Sequence, residues 1–120
     1  MIPIGAVIYL LIMHWIFDFL LQSDSMAINK SSSYKYLSFH VFVYSIGLSI
    51  FAFGAFSIPL AISWIIFNAM LHFVVDDNTS KFTSYLWKTN QRHWFFVTIG
   101  FDQLLHIMSL TGTYYLWSYV

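Results

Sequence analysis

The chain has no cysteine, which excludes disulfides, thiolate metal ligands and cysteine nucleophiles. Charge is almost as scarce: Asp, Glu, Lys and Arg make up 8% of the 120 residues, against about 25% in an ordinary soluble domain. The formal net charge is zero, so no basic field points to a nucleic-acid partner. Sequence signatures of common soluble chemistry are missing too. There is no Gly-rich phosphate loop, no Gly-x-Ser-x-Gly elbow and no His-Glu-x-x-His helix. What fills the chain is apolar: 59% hydrophobic residues, with thirteen Phe, eight Tyr and five Trp, and a mean hydropathy of +0.71. A water-soluble fold of this length lacks the interior to hide so much apolar surface. Lipid is the simpler solvent, and Trp and Tyr favour its boundaries.

Four apolar runs of spanning length are read at about residues 3–21, 36–53, 58–75 and 93–119, in one domain covering 1–120. The first run has no basic stretch before it and no small-residue cleavage motif after it. It also carries His14 and Asp18, so a retained helix is expected rather than a signal peptide. Gly54 and Pro59 mark an uncharged turn between the second and third runs. Between the third and fourth, Phe82, Tyr85, Leu86 and Trp87 recur near helical spacing and predict a short amphipathic helix lying in the interface. The expected fold is therefore an all-α integral membrane protein, a bundle of four transmembrane helices plus that interfacial helix. Lys30, Lys35, Lys81, Lys88 and Arg92 all fall in the two polar connections. The positive-inside rule then places those loops in the cytoplasm and both termini outside, in a multi-pass inner membrane protein.

Within the apolar runs the polar residues are patterned. His14 and Asp18, His72 and Asp76, and Asp102 and His106 are each four apart, a spacing that shares one helical face. His40 lies near the start of the second run. At 1.5 Å per residue from the loop ends, His14 is expected roughly 12 Å deep, and Asp18, His40 and His72 roughly 6 Å. Asp102 is expected roughly 13 Å deep, with His106 near the midplane. All belong to one half of the bilayer. Carboxylates in lipid cost about 2.5–3.5 kcal/mol each on insertion scales, so three of them need a reason. Imidazole with carboxylate is the ligand set of zinc, manganese and non-haem iron, and helix bundles build such sites in their cores. His14, Asp18, His40, His72, Asp76, Asp102 and His106 are the candidate ligands, for one ion or for two sharing a bridge. Asp18, Asp76 and Asp102 double as candidate catalytic carboxylates. The bland alternative is a hydrogen-bonded His–Asp lock between helices. His93 reads as an interfacial anchor and Asp77 as a helix-end charge.

At these residues the chain resembles the bacterial and phage membrane proteins grouped as domain of unknown function family 3307. The resemblance rests on His14-x-x-x-Asp18-Phe19-x-Leu21-Gln22 with Lys30 downstream, on His40-Val-x-Val-Tyr44, on His72-x-x-x-Asp76 and on Asp102-Gln103-x-x-His106. Three residues after Asp76, where the family often has Lys, this chain has Thr79, and its nearest Lys is Lys81. The family brings no activity to carry over. The site type is also distantly similar to membrane-embedded metal-dependent hydrolases.

Two functional readings follow. One is a metal-dependent hydrolase taking a lipid-linked or membrane-proximal substrate from the cytoplasmic leaflet, with Gln22, Lys30 and Gln103 at the substrate head group. The other is a non-enzymatic channel, transporter or assembly subunit that binds a proton or metal ion. The bilayer is the expected partner in both, and a homo-oligomer is compatible with either. The topology predicts that a cysteine placed at Ser57 reacts with an impermeant thiol reagent added to intact cells, and one at Ser32 reacts only after permeabilisation. The opposite pattern would reverse the orientation.

Overall fold

The computed structural model describes residues 2–120 and is all helical among them. Helix α1 (Ile4–Trp15) runs into a π-helical turn (Ile16–Leu20). A short α2 (Asp24–Asn29) follows, then three long helices: α3 (Tyr34–Ala55), α4 (Ile58–Lys88) and α5 (Arg92–Trp117). These last three are long and apolar enough to cross a membrane, while Ile4–Leu20 is a shorter apolar helix. Helix α4 lies between α3 and α5, and α1 closes the ring against the same two. Consecutive long helices run antiparallel, so α1 faces α4 and α3 faces α5 across the core. At 1.5 Å per residue α4 alone is about 46 Å long, and it sets the 46 Å long axis.

The inward positions recur every three or four residues. On α4 they are Ala61, Trp64, Asn68, His72, Asp76 and Ser80. On α3 they include Leu37, His40, Tyr44, Leu48 and Phe51, and on α5 His106, Leu110 and Thr113. The core is consequently layered. Leu10, Leu48, Phe51, Ala52, Ala61, Trp64 and Leu110 fill one end. Among them Thr113 Oγ1 donates to Asn68 Oδ1 at 3.1 Å. Beyond that pair every helix of the ring contributes a His or Asp.

The interfacial helix expected between the third and fourth spans is not a separate element. Residues 82–87 are the last turns of α4, because no Gly or Pro interrupts the chain from Leu60 to Ile99 and nothing stops the helix earlier. It stops at Asn90, whose φ of 62° is the left-handed conformation that Asn tolerates. The amides of Asn90 and Gln91 return to the carbonyls of Trp87 and Leu86 at 3.1 and 2.9 Å, a Schellman closure. The α4–α5 hairpin thus has arms of nearly equal length beyond the polar residues. Asp102 is level with Asp76 rather than deeper, and His106 is not displaced toward the opposite end. The polar connection after α1 also carries more structure than expected. Ser23 caps α2 by accepting from the Met26 amide at 3.2 Å, and Met26 is buried.

The π-helical turn places the extra residue of its wider coil next to α3. There Gly47 makes room for Phe17: a Cβ at position 47 would come within 2.5 Å of the Phe17 ring. Gly47→Ala should therefore displace Phe17 and cost about 1–3 kcal/mol, read as a lowered melting temperature of the purified protein. An unchanged melting temperature would show that the approach is not tight.

Candidate metal centre

Four side-chain atoms from α3, α4 and the π turn converge. Asp18 Oδ1 lies 2.9 Å from His40 Nε2 and 3.3 Å from His72 Nε2. The two imidazole nitrogens are 3.1 Å apart. Asp76 Oδ2 lies 3.1 Å from His40 Nε2 and 3.6 Å from His72 Nε2. All four residues are buried, His40 completely. A tetrahedral ion with bonds of about 2.0–2.1 Å needs its ligand atoms about 3.3–3.4 Å apart, and the five distances scatter around that edge. Hydrogen bonding alone serves the group poorly. Asp18 Oδ1 is buried without a well-directed donor, and His40 Nδ1 has no partner. This donor set fits a divalent transition ion.

The next layer holds these residues in place. His106 Nδ1 lies 3.1 Å from His72 Nδ1, and His106 Nε2 lies 3.0 Å from Asp76 Oδ1. With both rings neutral, a proton on His106 Nε2 serves Asp76, so His106 Nδ1 accepts from His72 Nδ1–H. The His72 Nε2 lone pair is then left facing the four-atom group. Such outer bonds fix a ligand's tautomer. Tyr44 stacks on His72 with ring centroids 3.8 Å apart and planes at 12°. Lys30, at the end of α2, donates to Asp76 Oδ2 at 3.0 Å.

A second convergence is formed by Asp76, Asp102 and His106, whose ligand atoms all lie within 4.8 Å of one another. Here Asp102 Oδ2 is 3.4 Å from His106 Nε2. Asp102 accepts from Thr79 Oγ1 and, at 2.9 Å, from Gln103 Nε2. His14 stands beside both groups and within neither. Its Nε2 is 2.9 Å from Gln103 Oε1 and 3.6 Å from Asp18 Oδ2. Gln22 lies outside the cluster, in a cavity of about 590 Å³ that Asp18, Lys30, Asp102 and Gln103 also line. Asp77 is paired with Lys81 at 2.7 Å, and His93 is exposed on the first turn of α5.

Tyr44 and Thr79 carry roles that the sequence reading did not assign. Each follows a buried polar residue by one helical turn, His40 and Asp76 respectively, and that spacing is the signal that could have found them. Thr79 is also where the family often has Lys. Here its hydroxyl holds Asp102 instead.

The fold and its centre define a helical bundle whose apolar helices enclose a His/Asp cluster able to hold a metal ion. The chain belongs to the family described as protein of unknown function (DUF3307), whose model matches residues 6–119. No curated protein and no solved structure matches it.

Replacing His106 by Leu leaves His72 Nδ1 and Asp76 Oδ1 buried without their partner. The expected cost is about 2–5 kcal/mol, measured by thermal unfolding of the purified variant. A variant as stable as the wild type would remove His106 from the network.

Proposed function

We propose that this is a four-span membrane protein whose buried His/Asp centre binds a divalent transition metal and hydrolyses a membrane-proximal substrate from the cytoplasmic leaflet. Support for the membrane setting is the outer surface. Phe39, Phe42, Ile46, Ile50 and Phe53 on α3 are exposed, as are Ile62, Ile66, Met70 and Val74 on α4. Apolar exposure on that scale belongs in lipid or at an interface. Ile4–Leu20, at about 25 Å, sits at the short end of spanning length. The one-sided Lys and Arg distribution supports cytoplasmic placement of the polar end.

The observation that carries the metal reading is the spacing of Asp18 Oδ1, His40 Nε2, His72 Nε2 and Asp76 Oδ2, at 2.9–3.6 Å. Charge supports it as well. Asp18, Asp76 and Asp102 bring three carboxylates to the centre, and among the described residues Lys30 is the only Lys or Arg that pairs with them. A divalent cation offsets what remains. When bound, such an ion would supply Lewis acidity and activate a water taken on as a fifth ligand beside the four protein atoms.

The residues divide the remaining work. Asp18, His40, His72 and Asp76 hold the ion. His106 orients His72 and Asp76. Asp102 lies outside the four-atom group, lines the cavity and keeps 14% of its side-chain surface exposed. It is the carboxylate placed to take a proton from water as general base, with Thr79 and Gln103 fixing its orientation. Past the cluster, Leu10, Leu48, Phe51, Trp64 and Leu110 close the core with Asn68 and Thr113 as the polar pair among them, which among the described residues leaves no continuous polar route through one chain and disfavours the carrier reading.

Metal analysis with thermal melting tests the proposal. Protein purified without chelator is expected to hold a stoichiometric transition ion, and chelation should lower its melting temperature. A ligand at 100 times its dissociation constant contributes about 2.7 kcal/mol. Asp18→Asn and His40→Gln should lose both the ion and the response. No bound ion, together with melting indifferent to added zinc, manganese or iron, would leave a hydrogen-bonded lock.

A further inference from the structure

The cavity of about 590 Å³ beside the centre is of ligand size, and its lining is divided by chemistry. Phe19, Ile28, Trp87, Phe95 and Ile99 supply an apolar wall. Lys30, Lys88 and the hydroxyl groups of Ser31, Ser80 and Ser84 supply donors. Lys88 forms no ion pair among the described residues. Ser84 Oγ donates to Ser31 Oγ at 3.0 Å, which leaves the Ser31 proton free to donate onward. Ser80, only 7% exposed, has a hydroxyl with no partner, and so does the buried Gln22 carbonyl oxygen. Unpaired buried polar groups on a cavity wall are costly unless something in the cavity meets them. Ammonium and hydroxyl donors together suit a phosphate group, which accepts several charge-assisted hydrogen bonds at once. The apolar wall suits a hydrocarbon chain.

From this juxtaposition we infer that the cleft between α2 and the α4–α5 hairpin binds a phosphate monoester carried on an apolar chain. Lys88, Ser31 and Ser80 take the phosphate, and Trp87, Phe95 and Ile28 take the chain. This rests on the metal reading for its orientation, because Asp18 and Asp102 on the same wall repel a phosphate unless a cation lies between. Lys30, held by Asp76, marks the border between cleft and centre.

Native mass spectrometry of the full chain released from neutral detergent, with metal content measured on the same samples, tests the inference. Oleoyl lysophosphatidic acid should bind one to one, monooleoylglycerol at least about tenfold more weakly, since a charged hydrogen bond carries about that factor. Inorganic phosphate should compete only weakly. Lys88→Gln should weaken the phospholipid by about tenfold and leave monooleoylglycerol unchanged. Ala27→Trp, which fills the cleft from α2, should abolish binding of both lipids. Both variants should retain the metal content of the wild type. Equal binding of the two lipids with no effect of Lys88→Gln would overturn the phosphate assignment. Full competition by inorganic phosphate, with no gain from the oleoyl chain, would identify a free anion site and overturn the lipid assignment. Metal without phospholipid binding would sink this inference alone, and phospholipid binding without metal would sink the metal reading and the phosphate's orientation by it, leaving the lipid assignment in place.

Discussion

Asp18 and Asp76 are buried to within a few per cent in a chain with very little other charge, and much of the structure follows from keeping those two carboxylates there. Removing an ionised carboxylate from water costs several kcal/mol even after the protein relaxes. A bundle of this size has no surplus apolar burial with which to ignore that. His40, His72, His106 and Lys30 all direct nitrogen atoms at the two groups, yet Asp18 Oδ1 still lacks a well-directed donor. A cation among the four atoms resolves that shortage with the donors already present.

Local backbone devices put the carboxylates where the imidazoles can reach them. The π turn carries Asp18, and Gly47 opposite lets Phe17 approach α3. The Asn90 closure sets the register of α4 against α5, so that Asp76 and His106 meet at 3.0 Å. Ser23 starts α2 and Met26 pins it, which brings Lys30 to Asp76. Gly47, Asn90, Ser23 and Met26 supply none of the four converging atoms, and each one positions an element packed around them.

Much of this was legible in the chain. The i, i+4 spacing of His14 with Asp18, of His72 with Asp76 and of Asp102 with His106 followed directly from helical geometry, as did the helical nature of every apolar run. Depth was not legible. Phe82, Tyr85, Leu86 and Trp87, recurring within the polar stretch 76–92, look like a surface helix, but without a Gly or Pro they simply continue α4, and the fourth helix starts correspondingly far out. Pairwise partners were hidden for a similar reason. Spacing says which face a residue shares but not which neighbour takes its nitrogen, and so His14 bonds to Gln103 rather than joining either convergent group. Spacing puts Tyr44 and Thr79 on the faces of His40 and Asp76, but their partners, His72 and Asp102, lie on neighbouring helices.

The central claim is that Asp18, His40, His72 and Asp76 form a ready-made cage for one transition ion. X-ray absorption at the metal edge of the loaded protein tests it most directly. The account predicts a shell of about four nitrogen and oxygen donors at about 2.0–2.1 Å, no sulfur, and outer-shell scattering from two imidazoles that falls to one in His40→Gln. A shell of six oxygen donors with no imidazole scattering, unchanged in His40→Gln, would contradict it.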